Sequence, residues 1–341
     1  MSHPLLTIII PTYNRANNLS LLLRTLATEL YGLGGKVDII IGDNASSDNT
    51  ASVISTFLES VPTAKILRHS SNIGPEENFC RCIDISNTRF LWILGDDDLP
   101  KSGVISQILK YLSAANPDLL YLKSQWLSRI HSSEDGSQVQ LFDVKEVSRE
   151  NFAQQVNVWV TFISGMIVNF DRLDELIADH NIRKYTNTSL VQLGWVLPML
   201  LQGNKFAITS DPVLLGTSGN SEGYKFLTVF GKNLPNILDE ACGMKSPIKK
   251  IIKRALIWGY LPDVVWFTRV GKHKNFISEN PLEALSDLKN TIPYWIIYLP
   301  FLKLPLLVSY LFRVVYKLLK KLILFINQTA SYSFIKVKNS S

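Results

Sequence analysis

Between residues 5 and 122 the hydrophobic positions follow two alternating rhythms. Short apolar, β-branched runs at Leu5–Ile10, Val37–Ile41, Lys65–Leu67, Phe90–Leu94 and Leu119–Leu122 read as strands. Between most of them apolar residues recur three and four apart, predicting helices over Asn17–Leu30, Thr50–Leu58, Glu76–Ile85 and Val104–Leu112. Strands alternating with helices of this length build βαβ units, so the expected fold is α/β with a mostly parallel, Rossmann-like sheet. After Ser124 the rhythm becomes irregular. His131–Gln138 reads as a loop, Phe162–Phe170 as a strand, Arg172–His180 and Leu190–Leu201 as helices, and Phe206–Thr209 as a further strand. The stretch TSGNSEGY at 217–224 reads as a mobile loop, and the last third is helical. The chain therefore divides into 1–125, 126–240 and a C-terminal helical extension, 241–341.

A parallel sheet binds ligands beyond the carboxyl ends of its strands. The segments there are PTYNR at 11–15, GDNASSDNT at 42–50, HSSNIG at 69–74 and GDDDLP at 95–100. All four are polar. Asp96, Asp97 and Asp98 follow an apolar strand directly, and neighbouring carboxylates at 4 Å repel by roughly 4 kcal/mol per pair. Such a cluster is easier to understand with a cation, and hard oxygen ligands suit Mg²⁺ or Mn²⁺ bridging phosphates. A solvated acidic turn is the plain alternative. Asp43 is placed to accept a base N–H or, more plainly, to cap the helix after SSDNT, a task open to Asp48 as well. Asn72 and Gly74 follow the third strand, where Gly74 serves either a close backbone approach or an ordinary turn.

Composition sharpens this picture. The chain has 341 residues, 46% hydrophobic and 19% charged, which excludes a disordered protein. Its net charge of +6 is localised: residues 241–341 hold 16 Lys and Arg against 4 Asp and Glu, leaving 1–240 net acidic. A basic tail on an acidic body suits an anionic membrane surface and argues against nucleic acid crossing the main domain. Three cysteines, Cys80, Cys82 and Cys242, make no disulfide framework and point to a reducing compartment. MSHPL enters a strand at once, without the pattern of a secretory signal, so a cytoplasmic catalytic part is expected.

Taken together, TIIIPTYNR, IIIGDNASSDNT, SNIGPEENF and FLWILGDDDLP resemble the family 2 glycosyltransferases of the GT-A fold, and more narrowly the O-antigen type that includes abequosyltransferases. The likeness covers residues 5–125 and continues weakly to about 220. It implies a donor half at 1–125 that binds a nucleotide-diphospho-sugar and an acceptor half at 126–240. It also implies that Pro11, Thr12, Tyr13 and Asn14 wrap the nucleotide and that Asp43 reads the base. Asn72, Gly74 and Asp96 complete the substrate side, with Asp96–Asp98 near ribose and metal. Matching Gly95–Asp98 to the family's Asp-x-Asp-Asp form puts Gly at the first carboxylate, leaving Asp97 as the metal ligand with Asp96 or Asp98 assisting. The resemblance further implies an inverting transfer to a hydroxyl of a polyprenyl-linked glycan acceptor, in surface polysaccharide assembly. The family's acidic general base falls near Gln192, where no carboxylate stands. Asp98 and Glu222 are the remaining candidates, Glu222 only if the 217–224 loop closes. That gap keeps a non-catalytic relative, binding nucleotide or glycan only, as the rival reading. A nucleotidyltransferase would carry a Gly-rich basic loop after the first strand, and PTYNR is not one.

In Pro305–Ile326, Arg313, Lys317, Lys320 and Lys321 share one helical side among Leu, Val and Phe. This predicts a helix lying in a membrane interface, basic side to the lipid phosphates, peripheral to the inner face of the cell membrane. Pro293, Pro300, Lys303 and Pro305 make the preceding apolar run a poor spanning helix.

Overall fold

The computed structural model describes residues 3–127, 130, 141–177, 180–217, 224–271 and 279–321. The first half follows the predicted rhythm: β1 (Leu6–Thr12), α1 (Ala16–Leu30), β2 (Val37–Asp43), α2 (Thr50–Ser60), β3 (Lys65–Arg68), α3 (Pro75–Asp84) and β4 (Phe90–Ile93). A two-residue β5 (Leu99–Pro100), α4 (Val104–Ala115) and β6 (Leu119–Tyr121) come next. The second half adds β7 (Ser124–Leu127), β8 (Val144–Val147), α5 (Arg149–Val156), β9 (Met166–Asn169), α6 (Phe170–Leu176), α7 (Leu193–Gln202), β10 (Phe206–Thr209) and β11 (Leu214–Thr217).

Eight strands form one sheet in the order β3-β2-β1-β4-β9-β6-β10-β8, with β9 and β8 antiparallel to their neighbours. β5, β11 and β7 form a small second sheet. Side chains alternate across a strand, so each strand feeds two cores. Ile9, Leu91 and Ile93 enter one; Ile8, Ile10, Phe90 and Trp92 enter the other, under α1, α2 and α4. Burial on both faces is why these strands read as continuous apolar runs.

Three differences from the sequence reading have local causes. The run 162–170 starts as a tight turn, with Phe162 Cδ1 only 2.7 Å from where a Cβ on Gly165 would lie, and becomes a strand only at Met166. That strand, β9, sits inside the main sheet between β4 and β6. The helix expected from Leu190 begins at Leu193, because the N–H groups of Leu193 and Gly194 close tight turns onto the Leu190 and Val191 carbonyls (3.0 and 2.8 Å) three residues back.

The helical segments within 226–303 pack on the first core, where Phe230, Leu256, Trp266, Tyr298 and Phe301 are buried. Residues around 292–303 are thus partly core. The helix 306–321 lies outermost, with its polarity opposite to the expected one. Arg313 and Lys317 reach inward to Asp263 (2.7 and 3.4 Å), and Lys320 donates to the Gly259 carbonyl (2.9 Å). Tyr316 donates to the Trp258 carbonyl. Asp263 and the carbonyls of the wide turn 256–260 attract the cations, so the apolar side is left outward. Leu307, Leu311 and Leu318 are 72%, 57% and 61% exposed. Among the described residues no helix is long and apolar enough to cross a membrane.

Candidate active site

Parallel pairing puts the ends of β1, β2 and β4 side by side. Thr12 is in register with Asp43 across β1 and β2, and β4 flanks β1 on its other side. Three of the four polar segments meet there. Thr12 Oγ1 donates to Asp96 Oδ2 (2.7 Å), and Arg15 bridges Asp96 Oδ1 (3.0 Å) and Asp97 Oδ2 (3.3 Å). Both Asp96 oxygens are therefore engaged within the protein, and this carboxylate positions Thr12 and Arg15.

Asp98 is turned the other way. Its N–H closes a turn onto the Gly95 carbonyl (3.1 Å), and its carboxylate meets the Ser164 hydroxyl and the Thr217 peptide N–H. Ser164 Oγ also accepts from the Gly95 N–H (2.9 Å), and Thr217 Oγ1 donates to the Asp97 carbonyl (3.2 Å). Gly95 explains the departure from the family's Asp-x-Asp-Asp form. A Cβ there would lie 3.2 Å from both Asp97 Oδ1 and Asp98 Oδ2 and 3.3 Å from Ser164 Oγ. The missing side chain leaves a cradle in which these oxygens converge.

Burial raises Asp96 to about 6, against the pull of Arg15. It raises Asp98 to about 8, with the Asp97 charge adding to the effect. Among the described residues three carboxylates face one guanidinium, an excess of negative charge. Two converging hard oxygens with excess negative charge fit Mg²⁺ or Mn²⁺, which take their remaining ligands from water and phosphate. Among the described residues no group of three or more Asp, Glu, His or Cys completes a cage.

The second part of the site surrounds Asp43. Asp48 holds the helix ends: its Oδ1 accepts from Thr50 N (3.0 Å) and its Oδ2 from Ala16 N (3.0 Å). Asp43 therefore has no capping duty. Its Oδ1 accepts from Ser46 N (2.9 Å), while its buried Oδ2 has no hydrogen-bond donor, only the Arg68 Nε charge at 3.3 Å. Asn14 (φ 52°) ties the loops together, its Oδ1 accepting from Ser47 N and its own N–H donating to Ser46 Oγ. Asn44 Nδ2 donates to Asn72 Oδ1, which also accepts from the Gly74 N–H. Gly74 has φ +84° with open space around it, so backbone conformation demands the glycine. Asn14 and Asn72 thus shape the loops, Pro11 pairs with Gly42, and Tyr13 stands exposed at the rim.

Gln192 is buried, and its Nε2 donates to the Thr161 carbonyl (2.6 Å), a structural tie. Glu222 lies outside the described residues. Arg15, Ser164, Thr217 and Glu76 were given no role by the sequence. Arg15 stands inside PTYNR and Thr217 opens TSGNSEGY, so both had a signal; Ser164 had none. Glu76, at the start of α3, reaches across to accept the Asn187 N–H, with its Oε1 buried and without a hydrogen bond, and burial raises its pKa. Cys80 and Cys82 are buried thiols raised to about 11 and about 12, inert packing groups.

The raised carboxyls give a stability prediction. In the folded protein Asp96 and Asp98 keep protons that the unfolded chain, with an ordinary aspartate value near 3.8, has released. The native state then binds more protons, so stability falls as pH rises from about 4 to about 8 and then levels. A divalent cation replaces the protons. Without one, the melting temperature should drop by roughly 5 °C or more between pH 5.5 and 8, and Mn²⁺ should raise it more at pH 8 than at pH 5.5. A melting temperature indifferent to pH and to Mn²⁺ would remove the charge-excess account.

Comparison with known proteins agrees with this geometry. Residues 7–129 match the model of Glycosyl transferase family 2. Abequosyltransferase RfbV of Salmonella typhimurium is 33% identical over 112 residues, 32% of this chain and 33% of the relative. A GalNAc(5)-diNAcBac-PP-undecaprenol beta-1,3-glucosyltransferase of Campylobacter jejuni is 29% identical over 108 residues, 31% of this chain and 34% of the relative. The aligned part thus spans about a third of each relative's length. S. aureus TarS 1–349 in complex with UDP-GlcNAc superposes with a TM-score of 0.59 at 16% identity, covering 87% of this chain and 79% of that one. Mannosyltransferase PcManGT from Pyrobaculum calidifontis, in complex with GDP-Man and Mn²⁺, gives 0.54 at 16% identity, covering 91% and 87%. The fold is GT-A, and residues 7–129, which hold the sequence motifs, match the Glycosyl transferase family 2 model.

Proposed function

We propose that the protein is a glycosyltransferase that moves a sugar from a nucleoside-diphosphate donor to a hydroxyl of a glycan acceptor. The observation that carries this reading is that the carboxylate cluster after β4 and the donor-less Asp43 oxygen at the end of β2 stand on either side of the end of β1. Asp43 Oδ2, buried with no hydrogen bond, is suited to accept a base N–H. The Gly95 cradle is suited to hold Mg²⁺ or Mn²⁺ through Asp97 and Asp98. A cation bound there supplies positive charge against the departing diphosphate. Arg15, 34% exposed beside the cluster, adds a second cation in the same region. An inverting displacement, with the acceptor hydroxyl attacking opposite the leaving group, is the chemistry we assign. Asp98 is the described candidate for taking the hydroxyl proton, and Glu222 the other.

The acceptor we assign is a glycan on a polyprenyl diphosphate, with the enzyme peripheral to the cytoplasmic face of the membrane in surface polysaccharide assembly. Supporting this are the outward apolar side of the helix 306–321 and the similarity to proteins whose names include abequose transfer and an undecaprenol-linked substrate. The buried amide of Gln192, where the family has an acid, favours the second reading, a non-catalytic relative. The test is a screen of nucleotide-sugars for Mn²⁺-dependent binding and hydrolysis. Binding without turnover on any donor and acceptor would favour the second reading.

Base recognition has its own test. Asp43→Ala should weaken nucleoside diphosphate binding by roughly 1.5–3 kcal/mol, the scale of a hydrogen bond involving a charged group. Its Mn²⁺ dependence should stay unchanged. Equal affinity in calorimetry of the variant and the native protein would return Asp43 to holding the Ser46 turn.

A further inference from the structure

We propose that an aromatic cleft beside the carboxylate cluster, built from Trp126, Trp159, Phe162, Phe230 and Tyr260, binds a neutral pyranose ring of the acceptor. The inference deepens the glycosyltransferase reading and rests on it for the word acceptor. Trp126 stacks on Trp159 (centroids 5.3 Å apart, planes at 27°), and Phe162 packs against Trp126 at 5.0 Å. Tyr260 meets Trp159 edge-on at 6.3 Å and Phe230 at 4.8 Å. These rings leave an open cavity of about 150 Å³ lined by Trp159, Phe162, Phe230, Tyr260 and their neighbours. That is small beside a drug-sized pocket and suits a single ring. Trp126 backs the lining rings Trp159 and Phe162, holding them in place, and is 40% exposed.

Its chemistry selects the ligand. Among the described residues, those that line the cavity carry no charge. Beside the aromatic rings and Val158, Thr161, Tyr224 and Tyr260 contribute hydroxyls, of which Thr161 and Tyr224 donate to the Val158 and Ser189 carbonyls (2.8 and 3.1 Å) and keep oxygen lone pairs to accept from a ligand. A neutral pyranose matches that mixture, with apolar C–H faces for the rings and equatorial hydroxyls for the rim.

Its position gives the ring a role. Phe162 precedes Ser164, the hydroxyl that meets Asp98, by two residues. The Trp126 ring lies over Gly216, where a Cβ would be 2.9 Å from it, and Gly216 adjoins Thr217, which holds the Asp97 carbonyl. At the other end Tyr260 closes the turn 256–260, whose carbonyls bind Tyr316 and Lys320 of the outermost helix. The cleft thus lies between the carboxylates and the exposed apolar helix, on the route of an acceptor delivered from a membrane.

Saturation-transfer NMR with methyl hexopyranosides of gluco, galacto and manno configuration tests this on the full chain, with UDP and GDP binding measured separately by calorimetry. At least one glycoside should receive saturation at its ring C–H protons. Its affinity should fall tenfold or more in Trp126→Ala and in Trp159→Ala, and be kept in Trp159→Phe, while nucleotide binding is unchanged in all three. Trp126, being half-exposed, makes the alanine variant readable even if Trp159→Ala fails to fold. No saturation of any glycoside, or equal saturation in Trp126→Ala, overturns the proposal. So does binding of a short prenol that the glycosides do not displace. Failure to bind either nucleotide would count against the glycosyltransferase reading, while the glycoside result would still decide the cleft.

Discussion

Asp97→Ala should abolish sugar transfer, by on the order of 10³-fold or more, the scale of losing a preorganised electrostatic group at a developing charge. It should also remove the Mn²⁺ dependence of nucleoside diphosphate affinity. Of the three carboxylates Asp97 is the one whose loss separates chemistry from folding. Asp96→Ala would leave Thr12 and Arg15 without their partner, and Asp98→Ala would empty a buried position between Ser164 and Thr217. Asp97 is the least buried, with a side chain 17% exposed, and it holds Thr217 through its carbonyl, which alanine keeps. Its charge adds to the raising of Asp98, so its removal should leave the melting temperature at pH 8 equal or higher. A variant that keeps near-native turnover would remove Asp97 from the metal site. One that loses activity together with its cooperative melting transition would show that the group is structural instead.

Exchanging Leu307, Leu311 and Leu318 together for Glu should weaken binding to vesicles about a thousandfold, at roughly 1.5 kcal/mol for each leucine face withdrawn from lipid. These residues are on the outward side of the helix 306–321, and the inward Arg313, Lys317 and Lys320 already have partners in Asp263 and Gly259. Two consequences follow. Salt should have a modest effect, since the apolar contact is not screened. A truncation that tests the helix must begin after residue 304, because a cut at 292 removes Tyr294, Ile297, Tyr298 and Phe301 from the core. Sedimentation with anionic and neutral vesicles checks both points. Equal binding of the native protein and the triple variant, or binding to anionic vesicles that vanishes in 0.5 M salt (about a 4 Å screening length), would reinstate a basic-side contact.

By itself the sequence determined the elements of the first half. Strand and helix periods there are local, each buried strand being a β-branched run bounded by turn residues, so β1 to β4 and α1 to α4 were legible with small shifts at their ends. It also marked the side chains proposed to carry the chemistry, because Asp96–Asp98, Asp43 and Thr12 stand where strands end and need no distant partner to be noticed. What only the tertiary structure decided depends on contacts between remote segments. The run at 162–170 has no rhythm that says it enters the sheet between β4 and β6; pairing with both strands fixes that. The division of labour between Asp43 and Asp48 rests on which carboxylate faces Ala16 and Thr50 across a turn. The glycine at 95 looked like a lost ligand until Asp97, Asp98 and Ser164 were found converging where its side chain would stand. Likewise the helical pattern at 305–326 defined a basic and an apolar side, but not which of them faces the protein. That was decided by Asp263 and the carbonyls of Trp258 and Gly259, distant in sequence, which draw the cations inward and turn the leucines out.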